Sequence, residues 1–132
     1  MWTKLHRLGA ATLVVLIAVQ AVIAGRHIFG DWGIGLHAAL GNAVFAIAVL
    51  TAGVAFFRLD SRALGVVGLV MIVVLSAQIG LGYSARDSQG AAAIHIPLGV
   101  ASFGAVTYQL LIAWPGLLVG HVGRSGDMPD PS

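Results

Sequence analysis

Two histidines, His37 and His95, stand 58 residues apart, and each follows a glutamine by seventeen residues, Gln20 and Gln78. The correspondence runs on at the same offset, pairing Leu40 with Leu98, Gly41 with Gly99, Ala43 with Ala101 and Phe45 with Phe103. A duplicated imidazole is a candidate ligand pair, because neutral imidazole is the commonest protein donor to metals. A ligating histidine normally hands its second ring nitrogen to an acceptor that fixes its orientation, and a glutamine carbonyl can be that acceptor. Zinc usually asks for four ligands, and here two matched imidazoles come with no cysteine and no nearby glutamate. Iron in a porphyrin already holds four nitrogens, so two axial imidazoles complete it. The pair His37 and His95 therefore reads most economically as the axial ligands of haem b.

What must position these residues is set by composition. Of 132 residues, 58% are hydrophobic and 9% charged, and the mean hydropathy is +0.95. Soluble domains carry about 25% charge, so the chain is expected to be an integral membrane protein. The absence of cysteine excludes disulfides, thiolate metal sites and covalent haem attachment. A net charge of +2 and a pI near 9.7 come from few Lys and Arg, which read as topology signals and not as a nucleic-acid surface.

Four apolar segments, near the roughly 20 residues that a spanning helix needs, fall at about 8–24, 34–57, 63–83 and 91–119, the last with a break at Trp114-Pro115. The connectors are short and polar, at 25–32, 58–62 and 84–89, which forces antiparallel neighbours. The expected fold is all-α: a four-helix, up-down membrane bundle over 1–119, made of two repeated hairpins (about 8–57 and 63–119), with a disordered tail over 120–132. Lys4 and Arg7 ahead of an apolar run, with small residues near Ala24, give the first segment the look of a signal peptide. Gln20 within it matches Gln78 within the third segment, which argues that it is kept as a helix.

The cations divide unevenly. Lys4, Arg7, Arg58, Arg62 and Arg124 fall on one side and Arg26 and Arg86 on the other, which places both termini in the cytoplasm of a plasma-membrane protein. Trp32 and Tyr83 then mark the outer boundary, and Trp2, Tyr108 and Trp114 the inner one. His37 lies about one turn, roughly 5 Å, below the outer end of its helix, and Gln20 lies at a comparable depth, so the two can meet across the hairpin. Gly41 and Gly99 follow the histidines by one turn on nearly the same face, which removes bulk where a flat macrocycle needs space. Arg26 and Arg86 close the first and third helices, where they can offer charge-assisted hydrogen bonds to haem propionates or act as interfacial anchors.

Ionisable residues inside a membrane are functional hypotheses by default, because leaving them unpaired in hydrocarbon is costly. A single histidine near a helix end can instead snorkel, and the glutamines can be plain interhelical hydrogen-bond partners. His6 and His121 belong to the cytoplasmic ends and His27 to the outer loop, where solvation is the expected role.

The stretches Ala77-Gln78-Ile79-Gly80-Leu81-Gly82 and His95-Ile96-Pro97-Leu98-Gly99 resemble the third and fourth helices of one half of haem A synthase. Gln20 with His37-Ala38-Ala39-Leu40-Gly41 resembles its first and second, and the likeness runs from about Leu13 to Tyr108. That family is built from two four-helix bundles, each with a histidine pair on its second and fourth helices; b561-like cytochromes share the scheme more loosely. The resemblance implies one haem-holding bundle. It departs at Ile34, where the family's catalytic bundle has a glutamate three residues before the histidine, and in the missing outer-loop cysteine pair. Methyl-group oxidation by this chain alone is therefore not expected.

The leading expectation is a membrane-embedded bis-histidine haem b protein, used for electron transfer or haem handling. The competing class is a haem-free accessory or assembly subunit that packs through its Gly and Ala residues. A transporter or proton relay is disfavoured by the scarcity of carboxylates within the spans. Expected partners are membrane lipid, a quinone or a redox or oxidase-assembly membrane protein, and a second copy of the chain; nucleic acid is not among them.

Overall fold

Four helices account for nearly all of the described residues, which are 1–30 and 33–115 of a computed structural model. They are α1 (Trp2–Phe29), α2 (Ile34–Arg58), α3 (Arg62–Ser84) and α4 (Gln89–Ala113). Each is long and apolar enough to cross a membrane, and the chain is a multi-pass membrane protein. The expectations for Asp31, Trp32, His121, Arg124 and the tail lie outside the described residues.

The termini of the elements follow local chemistry. Ser61 and Ser88 cap α3 and α4, their hydroxyl oxygens accepting from Leu64 N–H at 3.4 Å and Ala91 N–H at 3.3 Å. α4 stops at Ala113, directly before Trp114-Pro115, because the residue ahead of a proline is pushed out of the helical region. Pro97 sits inside α4 two residues after His95 and removes one main-chain hydrogen bond from that turn. α1 differs from expectation: it continues to Phe29, so Arg26 and His27 form its last turn and not a connector. Nothing in Gly25-Arg26-His27-Ile28 breaks a helix as proline would, and the chain leaves the helix only at Gly30, whose backbone is extended.

The short links make successive helices antiparallel, and the bundle closes as a square. α1 packs on α2 and α4, and α3 packs on α2 and α4, while the backbones of the diagonal pairs stay apart. Leu13, Ile17, Val44, Ala48, Met71, Leu75 and Val106 fill the middle with apolar side chains from all four helices. Hydroxyls that would be stranded in hydrocarbon fold back onto their own helices, Ser76 onto Ile72 O, Ser102 onto Leu98 O and Thr107 onto Phe103 O, each at 2.8 Å.

Two glycines set the approach of the helices at the far end from the histidines. A methyl on Gly9 of α1 would overlap Thr51 Oγ1 of α2, and one on Gly68 of α3 would lie 2.9 Å from Ala52 Cβ and 3.0 Å from Ala52 Cα. A backbone carbon cannot rotate away as a side-chain tip can. Gly68→Val is expected to lower stability by about 1–3 kcal/mol through overpacking, read as a lower melting temperature in detergent. Gly53→Ala, where the added methyl meets nothing within 4 Å, should leave the melting temperature unchanged.

Candidate functional site

The site lies at the end of the bundle where α1 finishes and α2 begins. α2 and α4 occupy one diagonal of the square and α1 and α3 the other, so residues a turn below this end converge on the axis from four directions. His37 of α2 and His95 of α4 meet there, with ring centroids 6.1 Å apart and planes at 76°. Both are half-buried, and each keeps a buried Nδ1 without a hydrogen-bond partner.

Gln20 reaches His37 across the first hairpin, as the spacing implies, but by the opposite end of its amide. Its Nε2 donates to the main-chain carbonyl of His37 at 2.8 Å and lies 3.4 Å from the ring Nε2, while its Oε1 is buried and unpartnered. The expected arrangement, in which the glutamine carbonyl accepts from the ring, is therefore not the one observed. Turning the amide over would set oxygen against the His37 carbonyl, so that contact fixes which end faces the histidine. Gln78 likewise has a buried, unpartnered Oε1, and its Nε2 faces Gly99.

These four side chains line one cavity of about 570 Å³, between the hairpin α1–α2 and the hairpin α3–α4. Its floor is formed by Ile17, Val44, Leu75 and Ser102, the first three being part of the apolar core. Gly41 and Gly99 both line it, and each makes room for a glutamine amide: an added methyl would lie 3.2 Å from Gln20 Nε2 or 3.0 Å from Gln78 Nε2. Gly82 was not singled out by the spacing of the histidines. A methyl there would sit 3.0 Å from His95 Cε1, so Gly82 is the seat of the His95 ring. The signal that could have found it is positional, since Gly82 lies one turn beyond Gln78 on the same face of α3.

Arg86 is at the rim of the cavity, its guanidinium carbon 4.8 Å from the centre of the Tyr83 ring. Arg26 does not line it, although its neighbours Gly25 and Ile28 do, so the two arginines expected to act alike are not equivalent. Among the described residues no group of three or more His, Cys, Asp or Glu gathers to form a closed metal site. A metal ion here would be held by the two imidazoles together with ligands of its own.

His6 stands near the start of α1, at the far end of the bundle, and is inside it. It is only 1% exposed, and its Nδ1 lies 3.2 Å from the carbonyl of Thr51, an arrangement in which Nδ1–H donates and Nε2 is left unpartnered. With Gln109, also 1% exposed, it makes the far end of the bundle partly polar inside. His27 is exposed, on the last turn of α1. Comparison of the chain with models of known protein families, with curated proteins and with solved structures gave no match.

Proposed function

We propose that the bundle binds haem b between His37 and His95 as axial ligands and serves electron transfer or haem handling in the plasma membrane. The observation that carries this reading is the opposition of two imidazoles from diagonal helices across an apolar cavity, with centroids 6.1 Å apart. A metal between the rings would be held by His37 from α2 and His95 from α4. The cavity volume falls in the range of about 300–1,000 Å³ usual for cofactor sites. The unpartnered Nδ1 atoms leave each ring one nitrogen with no protein hydrogen bond.

When bound, such a group supplies one-electron redox chemistry at iron, with a potential set by its axial ligands and surroundings. The chain's own residues do the rest. His37 and His95 hold the metal, Gly82 and the Gln20 amide hold the rings, and the apolar wall excludes water. Arg86 supplies a positive charge for a carboxylate at the rim. With Ile34 at the position of the family's catalytic glutamate, the resemblance to half of haem A synthase supports holding the group and not oxidising it.

The two hairpins fit a pseudo-two-fold arrangement about the membrane normal: Gln20 and Gln78, His37 and His95, and Gly41 and Gly99 all line the same cavity. The charge bias favours cytoplasmic termini and an outer site, open to a quinone, a redox or oxidase-assembly membrane protein or a second copy of the chain. A cysteine replacing Asp87 should react with an impermeant reagent added outside cells, and one replacing Asp60 should not; the reverse pattern would put the site on the cytoplasmic side. The direct test of the cofactor is the absorption spectrum of detergent-purified protein. A Soret band with a sharp reduced α-band is expected; a protein that stays colourless after haemin is added would favour the haem-free accessory subunit.

A further inference from the structure

The cavity between the two hairpins has two side walls, the α2/α3 seam and the α1/α4 seam, and they are not alike. A residue that lines a cavity and is also exposed marks its mouth. On α4, the lining residues Ile96, Val100 and Phe103 are 57%, 71% and 40% exposed, and facing them on α1 the lining residues Ala18 and Ala21 are exposed too. At the matching positions of the other seam, Ala38 and Phe45 of α2 and Ile79 of α3 are half-buried, while Asn42 and Ser76 are exposed, and of these two only Asn42 lines the cavity. The repeat is broken so that the α1/α4 seam is the more open of the two.

The open seam is also the one with no loop across it, since it joins the first helix to the last. At the opposite end of the bundle it is pinned by Arg7, whose Nε–H donates to the Ala113 carbonyl at 2.8 Å and whose guanidinium lies 5.3 Å from the Trp114 ring centre. It is thus a seam fastened at the end opposite the cavity. In a bilayer its mouth faces acyl chains, because the residues that frame it lie in membrane-spanning helices and are apolar. The rim breaks the repeat as well: Tyr83 of α3 and Arg86 in the turn that follows it correspond to Gly25 and Ile28 on α1, so positive charge lines one edge of the cavity.

We infer that the α1/α4 seam is a lateral port through which the cavity takes its ligand from the bilayer, and that the ligand class is a flat, lipid-soluble molecule with one anionic edge. The identity of that ligand rests on the haem reading above; the port does not. The residues at the mouth are small on α1 and apolar on α4, which suits passage of an apolar edge and gives a partitioned charge nothing to bind until it reaches Arg86.

The native chain has no cysteine, so a single Ser102→Cys on the cavity floor reports access to the interior. In proteoliposomes, a bilayer-dissolved pyrene maleimide should label it, and adding Ala21→Trp to fill the port should slow labelling by about tenfold or more. Asn42→Trp at the other seam and Val22→Trp, which is exposed to lipid but does not line the cavity, should change the rate by less than about twofold. In parallel, haemin partitioned into the same vesicles should develop its Soret band more slowly in Ala21→Trp and reach the same final amplitude. Equal labelling rates in all variants, or slowing by Asn42→Trp and not by Ala21→Trp, would overturn the port. Seam-dependent labelling with no haemin binding by any variant would leave the port standing and remove the haem.

Discussion

His37→Ala and His95→Ala are each expected to abolish the low-spin haem spectrum, and neither should unfold the protein. The argument is geometric. A six-coordinate metal held by two imidazoles on diagonal helices loses half of its protein ligation when either is removed, and among the described residues no third His, Cys, Asp or Glu stands by to replace it. The fold should survive because both rings are only half-buried and abut a cavity, so truncation adds to existing space and does not open a hole in the packed middle of the bundle. His6→Ala should behave in the opposite way. It removes a buried ring hydrogen-bonded to Thr51, so the spectrum should persist while stability falls by about 1–3 kcal/mol. The measurements are the pyridine haemochrome yield and the melting temperature of each purified variant. Equal haem content in the three variants would remove the assignment of the ligands, and loss of the spectrum in His6→Ala alone would move the site to the other end.

Much of this was legible in the chain itself. Hydropathy marked four spans, and short polar links dictated antiparallel order, because in a membrane the backbone has few other ways to satisfy its polar groups. The repeat selected His37 and His95 from five histidines and placed Gln20 beside the first. Its limits were those of spacing. It gave Gln20 a position but not the orientation of its amide, which is decided by the His37 carbonyl that only the packed hairpin brings near. It treated Arg26 and Arg86 as equals, although in the repeat Arg86 corresponds to Ile28.

His6 has Lys4 and Arg7 as charged neighbours in the sequence, which taken alone would suggest a solvated side chain. Its phase says otherwise: Ala10, Leu13 and Ile17 recur from it at helical intervals, and all are buried with it. The charged residues belong to the other faces of the same helix. Likewise the connector after Ala24 looked polar from Arg26 and His27, yet nothing there interrupts the helix until Gly30.

Gly82 was concealed by the repeat itself, since its counterpart is Ala24, and the most discriminating expected result concerns it. Three glycines on this part of the bundle differ in what an added methyl would meet. At Gly80 it would meet nothing within 4 Å; at Gly41 it would meet the amide of Gln20 at 3.2 Å; at Gly82 it would meet the His95 ring at 3.0 Å, with both ring nitrogens within 3.6 Å. The amide is the tip of a flexible side chain and can move aside by a few tenths of an ångström. The ring has less freedom, because turning it about its own bonds changes the direction in which its nitrogens point. Gly82→Ala should therefore weaken haem retention by about 10–100-fold, the loss usual when a group that orients a metal ligand is altered, with a shifted α-band in whatever haem remains. Gly41→Ala should have a much smaller effect. Gly80→Ala should retain haem fully and melt no lower than the parent, since alanine is the better helix former. The order of retention, Gly80→Ala above Gly41→Ala above Gly82→Ala, with melting temperatures that do not follow it, is what orientation of His95 by α3 requires. If retention instead tracked melting temperature across the series, Gly82 would be a packing residue and the seat of His95 would have to be sought elsewhere.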